Sequence, residues 1–372
     1  MERKYLDSLI KWKNSKNRKR LLVFGARQVG KINQLNIYPL TFDEFLLNYN
    51  KNTYDYVKKC YENKKEIDSI THNLLMEIFH EYLFVGGMPE VVDTYLKSKD
   101  NKLNAYTNSL SIIKDIYSDY LSDMELYQAS DESILRSRMI FNNIYTQLNK
   151  ENKNFKTTII NKKFKNRDLF TPIEWLLTAN IVYKSSQLKE HITSTLISPS
   201  ESLYRLYLSD MGLFTYQSGL NAKSFYLDKN NSLSGVYYEN YVSIELSSRD
   251  IKLFYWKGKR DSEFEFILDY QGRIIPLDVE KGKGSLSSLK EFRTHNNVDV
   301  VLKVSSNNFG FDKEMKILTI PFYYFSFFLN DLSEFKFNYW LILTKPLSQY
   351  GAPLDKASFL TNLYVPHRVA IS

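Results

Sequence analysis

A chain of 372 residues with 43% hydrophobic and 25% charged side chains carries enough apolar material for two or three folded domains, which sets aside a disordered or fibrous reading. One cysteine, Cys60, excludes an internal disulfide and a multi-cysteine zinc site. The longest uncharged run, Ile317–Asn330, is shorter than the roughly 18–20 residues a membrane helix takes. The net charge of +8 has two sources, a lysine-rich composition or a nucleic-acid partner, and only local clustering separates them.

The N-terminus is charged and amphipathic, unlike a secretory signal, so a cytoplasmic protein without a membrane partner is expected. Tyr5, Leu6, Leu9 and Ile10 fall at helical spacing within Met1–Trp12, and Lys11–Arg20 is a basic collar. Leu21–Phe24 then reads as a strand running into Gly25-x-x-x-x-Gly30-Lys31. Glycines at those places let backbone N–H groups turn toward phosphate oxygens, and the lysine reaches the terminal phosphates. The next position should be Ser or Thr to hold Mg²⁺, but it is Ile32, which offers no ligand. The strand ending in carboxylates that phosphoryl transfer also needs does not follow.

Helices are expected over Glu66–Glu81, from Val91 onward beyond the Gly86-Gly87-Met88-Pro89 break, and over Thr107–Tyr127. The pattern reads as helical to about Leu220, with a helix at Ile134–Leu148, another at Leu169–Thr178 and a short strand at Ile181–Tyr183. Lys150–Arg167 holds seven basic residues and one acid, a local charge of +6. Basic side chains beside a helix-turn-helix neutralise phosphates, so Lys162, Lys163, Lys165 and Arg167 are candidate contacts to duplex DNA. A solvated lysine-rich loop explains the same composition.

Toward the C-terminus a helix is expected at Gly235–Leu246 and strands at Ser262–Leu268 and Arg273–Glu280. A helix capped by Ser285 and a strand at Val298–Val304 follow. Strand alternation places Asp278 and Glu280 on one face, while Lys281 points to the other.

Gly25-Ala-Arg-Gln-Val-Gly-Lys31, Leu35-Asn-Ile-Tyr-Pro-Leu-Thr-Phe-Asp-Glu-Phe-Leu46 and Glu81–Val92 resemble successive signatures of a prokaryotic AAA-family ATPase group. Leu203–Leu213, Gly235–Leu246 and Phe254-Tyr-Trp256 continue the resemblance. Members of that group carry an N-terminal ATPase domain and a C-terminal domain of unknown function with a nuclease-like fold. The resemblance implies nucleotide binding through Gly25, Gly30 and Lys31. The family's sequence between the P-loop lysine and the second signature is nearly all absent, so the ATPase core looks internally deleted near Lys31–Asn33, and ATP binding without hydrolysis is expected.

The helix–strand–strand–helix–strand order of the C-terminal region resembles the PD-(D/E)xK nuclease core, and the resemblance places Glu265, Asp278 and Glu280 at its acidic positions. Such a core cuts phosphodiesters with carboxylates holding Mg²⁺ and a lysine steadying the attacking water. Here a third acid, Glu280, stands in the lysine's place, so Mg²⁺ binding is conceivable and water activation is impaired.

The expected fold is mixed α/β and multi-domain. Residues 1–80 form a truncated ATPase remnant, 81–230 a helical and winged-helix-like region, 231–330 the nuclease-like domain and 331–372 an unassigned tail. The functions to be separated are a degenerate ATP-binding protein, a non-catalytic module that binds DNA or a protein partner, and a Mg²⁺-dependent nuclease.

Overall fold

The structure is a computed structural model. It describes residues 9–10, 13, 21–24, 33–128, 130–188, 192, 199–228, 233–258, 262–270, 273–280 and 287–333. The fold is mixed α/β. No described helix is long and apolar enough to cross a membrane.

Two strands open the described chain. β1 (Leu21–Phe24) and β2 (Asn33–Asn36) pair in parallel, with Leu21 opposite Asn33 and Phe24 opposite Asn36. Among the described residues no third strand joins them. Parallel strands ordinarily sit in larger sheets covered on both faces, so this pair is not the nucleotide-binding sheet that a P-loop domain needs.

The signature that follows folds onto the C-terminal half of the chain. Glu44 accepts from the Thr41 N–H at 3.2 Å and caps α1 (Phe42–Tyr49), while the Phe42 N–H donates to Glu245 Oε1 at 2.9 Å. Glu245 lies on the helix α12 described below. α2 (Lys51–Glu62) and α3 (Ser69–Val85) complete this helical group, and Asp68 caps α3 by accepting from the Thr71 N–H. Phe79 of α3 stacks on Phe322 at 4.9 Å and meets Tyr241 edge-on at 4.8 Å. Contacts therefore cross both 80/81 and 230/231, and residues 1–334 cluster as one compact unit.

Between α3 and α4 (Pro89–Ser98) the backbone passes through Gly86, with φ +78°, and Gly87. A Cβ on Gly86 would sit 2.4 Å from the Gly212 nitrogen, and one on Gly87 would sit 2.1 Å from the Leu40 carbonyl oxygen. Only glycine fits where three segments meet this closely. Buried Asp210 ties the junction, accepting from the N–H groups of Gly87 at 2.7 Å and Gly212 at 2.8 Å.

α5 (Lys102–Tyr127) covers the expected helix. The expected Ile134–Leu148 helix is instead two, α6 (Asp131–Phe141) and α7 (Ile144–Leu148). Gln217 donates to the Phe141 carbonyl at 2.6 Å and accepts from the Tyr145 N–H at 3.2 Å, so one side chain takes both backbone groups that a continuous helix would join. α8 (Thr157–Ile160) and α9 (Asn166–Thr178) follow.

The expectation of helix to about Leu220 is corrected by an antiparallel hairpin, β3 (Val182–Leu188) with β4 (Pro199–Leu208). Tyr204–Leu208 is buried on both faces, which removes the alternation that marks a half-exposed strand. After α10 (Met211–Ser218), α11 (Ala222–Leu227) and α12 (Gly235–Ser247) come β5 (Leu253–Lys257), β6 (Glu263–Phe264), β7 (Phe266–Tyr270) and β8 (Arg273–Glu280). The last elements are α13 (Ser287–His295), β9 (Val301–Ser305), β10 (Gly310–Asp312), β11 (Ile317–Pro321) and α14 (Phe322–Ser333).

The sheet orders are β4-β3-β5-β6 and β10-β11-β9-β8-β7. The expected strand over 262–268 therefore bends at Glu265, its first part pairing with β5 and its second with β8. Trp256, Phe264, Ile267, Leu289, Phe292 and Val301 form the core beneath this bend.

Candidate functional site

The chain offers three candidate sites, and the structure treats them differently. The expected phosphate-binding motif, Gly25, Gly30 and Lys31 with Ile32 after it, lies outside the described residues.

The acids of the C-terminal region do come together. Glu265 stands at the bend between β6 and β7, and its Oε2 accepts from the Val279 N–H of β8 at 3.2 Å. Asp278 and Glu280 share a face of β8, since Leu277 and Val279 are buried and their neighbours are partly exposed. β8 and β9 run parallel with Asp278 opposite Lys303, and Lys303 forms an ion pair with Glu280. Beside this trio, Lys153 pairs with Glu239 of α12 and lies 3.5 Å from Glu263 of β6. Arg205 of β4, 1% exposed, reaches Glu263 Oε2 at 2.7 Å and lies 3.9 Å from Glu239 Oε2. Its guanidinium lies over the Tyr255 ring, 4.1 Å from the centroid.

Electrostatics follows from this crowding. Burial, then the charges of Glu239 and Asp278, push the Glu265 carboxyl well above the usual carboxylate range. Burial, then the Glu280 charge and its hydrogen bond, raise Asp278 to about 7 against the opposing pull of Lys303. Glu263 goes the other way: burial raises it, but the Arg205 charge and hydrogen bond outweigh that and hold it low. Each of Glu239, Glu263 and Glu280 faces a cation, while Glu265 and Asp278 are driven toward their neutral forms.

A Mg²⁺ ion needs several ionised oxygen ligands around one point. Of the acids here, Glu239, Glu263 and Glu280 are already engaged by Lys153, Arg205 and Lys303 respectively. Among the described residues no group of three or more His, Cys, Asp or Glu side chains is arranged to hold a metal ion.

Three of these participants escape a reading by motif. Lys303 faces Asp278 only through strand pairing. Lys153 looks like part of the basic turn. Arg205 left one signal, a lone charge inside the apolar run Leu203-Tyr-Arg-Leu-Tyr-Leu208.

The basic turn is built differently. α8, a single turn of helix, residues 161–165 and α9 stand in helix–turn–helix order ahead of the β3–β4 hairpin. α9 buries Leu169, Pro172, Ile173 and Leu176. Pro172 has no N–H to give the Asp168 carbonyl, and Arg136 Nη1 of α6 donates there at 3.0 Å, which fastens α9 to α6. Lys162, Lys163, Lys165 and Arg167 are exposed at the start of α9. Arg167 lies 3.8 Å from Asp168, while the three lysines have no carboxylate partner among the described residues. Phe170, 64% exposed, projects one turn further along. The N-terminus of α9 adds its own positive dipole to this surface.

Residues 76–224, spanning most of α3 through α11, match a family described as Domain of unknown function (DUF8612). Residues 234–323, with α12 and the acids, match Domain of unknown function (DUF4143). No curated protein and no solved structure matches the chain.

Proposed function

We propose that this chain is a degenerate relative of AAA-type ATPases that binds duplex DNA through the helix-turn-helix and cuts nothing. The observation that carries the reading is the set of exposed lysines, Lys162, Lys163 and Lys165, at the head of α9, whose ammonium groups form no ion pair among the described residues. Lysines that neutralise phosphates release the counterions condensed on the DNA, and that supplies affinity. Arg167 and Phe170 extend the same surface toward the groove. The test is fluorescence anisotropy with duplex DNA at several salt concentrations. Binding should weaken steeply with salt, and Lys162→Glu with Lys163→Glu should lower affinity at least about tenfold and flatten the salt slope by about 2. Binding indifferent to salt and to both substitutions would end this reading.

The ATPase ancestry is supported by the sequence of Gly25–Lys31 and by the DUF4143 match, a domain often found at the C-terminus of AAA-type ATPases. Hydrolysis needs metal, carboxylates and a positioned water together, and Ile32 supplies no metal ligand. Residual ATP binding predicts a raised melting temperature with millimolar MgATP, reversed by Lys31→Ala; an unmoved melting temperature removes ATP as a ligand. Glu280, a carboxylate where the nuclease pattern has its lysine, supports a protein without nuclease activity, so plasmid DNA with Mg²⁺ should stay intact.

A further inference from the structure

The segment leading into the helix-turn-helix is fastened at four consecutive residues. The Lys153 side chain, 20% exposed, lies between Glu239 of α12 and Glu263 of β6. Asn154 Oδ1 accepts from Tyr255 OH of β5 at 2.6 Å. The Phe155 N–H donates to the Tyr204 carbonyl of β4 at 2.8 Å, and the two rings stack at 5.8 Å. The Lys156 N–H donates to Gln147 Oε1 of α7 at 2.6 Å. α8 begins at the next residue, and the turn with Lys162, Lys163 and Lys165 follows it.

We infer that Lys153, Glu239 and Glu263 are positioning residues for DNA binding: their ion pairs hold the 153–156 strap on the C-terminal α/β region and so set where α8 and the basic turn present their lysines. The inference rests on the DNA-binding reading above. Lys153 contributes nothing to the phosphate-facing charge, because its ammonium is already engaged. The two acids work through the strap and touch no nucleic acid.

Positioning and long-range electrostatics predict opposite signs. Removing a negative charge from a DNA-binding protein strengthens its attraction for phosphates. Removing one that holds the strap loosens the turn and weakens binding.

The experiment uses the full chain, duplex DNA and anisotropy at two salt concentrations. Glu239→Gln is expected to weaken binding about tenfold with the salt slope unchanged, and Lys153→Gln by a similar factor. The double variant Lys153→Gln/Glu239→Gln should be no weaker than either single one, and Lys153→Arg should restore wild-type affinity. Tighter or unchanged binding by Glu239→Gln overturns the inference. So does a salt slope reduced by about 1 in Lys153→Gln, which marks a direct phosphate contact. If Glu239→Gln does not fold, Glu263→Gln carries the same comparison with the Lys153–Glu239 pair intact. If the wild type itself binds no duplex, the DNA reading fails, and hydrogen exchange then decides the strap separately. Faster exchange over residues 153–165 in Glu239→Gln supports it, and unchanged exchange refutes it.

Discussion

The acid-rich bend of β6–β8 and the lysine-rich turn before α9 are the two most charged places in the described chain, and they dispose of charge in opposite ways. At the bend, carboxylates and cations from five elements and the 153–156 strap are drawn below the surface and matched one against another. At the turn, Lys162, Lys163 and Lys165 are exposed, and their ammonium groups form no ion pair among the described residues. Matched buried charge serves architecture, because a group already held by a counter-ion has little left to offer a ligand. Unmatched exposed charge costs the fold almost nothing and stays available to an anionic partner.

The comparison fails first at Arg205 if it fails anywhere. Arg205→Met strands Glu263 and exposes Glu239 to an uncompensated charge, so stability should fall by on the order of 3–5 kcal/mol. Urea denaturation followed by circular dichroism reads this, and a loss under about 1 kcal/mol would mean that the cluster is not a matched set.

Asp278 gives a smaller effect of opposite sign. Its folded pKa, about 7, lies above the ordinary 3.8, so its contribution to stability is complete below about pH 4 and is lost as pH rises through 7. Asp278→Asn removes that loss. The variant should gain on wild type between pH 4 and pH 8 by on the order of 2 kcal/mol, a figure reduced from the full shift because the proton is shared with its neighbours. Melts at the two pH values measure the gain, and parallel wild-type and variant curves would contradict the crowding of acids.

The smallest effect belongs to the turn. Lys163→Ala should change stability by less than about 0.5 kcal/mol, the range for an exposed side chain without partners. A larger destabilisation would show that the turn's charges are structural after all.

Much of the helical framework was legible because its signals are local. The apolar stripe of Thr107–Tyr127 lies within α5, and the Gly86-Gly87 break falls where the junction needs glycine, whereas the caps Asp68 and Asn101 set helix starts that the apolar pattern put at Glu66 and Thr107. β8 was readable to the residue from its bounded run and its same-face acids. The first strand of the β3–β4 hairpin was expected in part at Ile181–Tyr183, and the second was missed because Tyr204–Leu208 is buried on both faces and shows no period of two. The split of the strand at Glu265 was missed because nothing near Phe264-Glu-Phe266 says that the two halves pair in different sheets.

By sequence alone, the residue types at the bend and the turn, the missing ligand at Ile32 and the absence of a lysine at position 280 were settled, since each is a matter of which side chain stands at which position. Which charges neutralise which was settled only by tertiary structure. Lys153, Arg205 and Lys303 reach the acids from a strap, a hairpin strand and a parallel neighbour far away in the chain, and electrostatic pairing depends on distance through space. The same folding that engaged Lys153 with Glu239 left Lys162, Lys163 and Lys165 exposed.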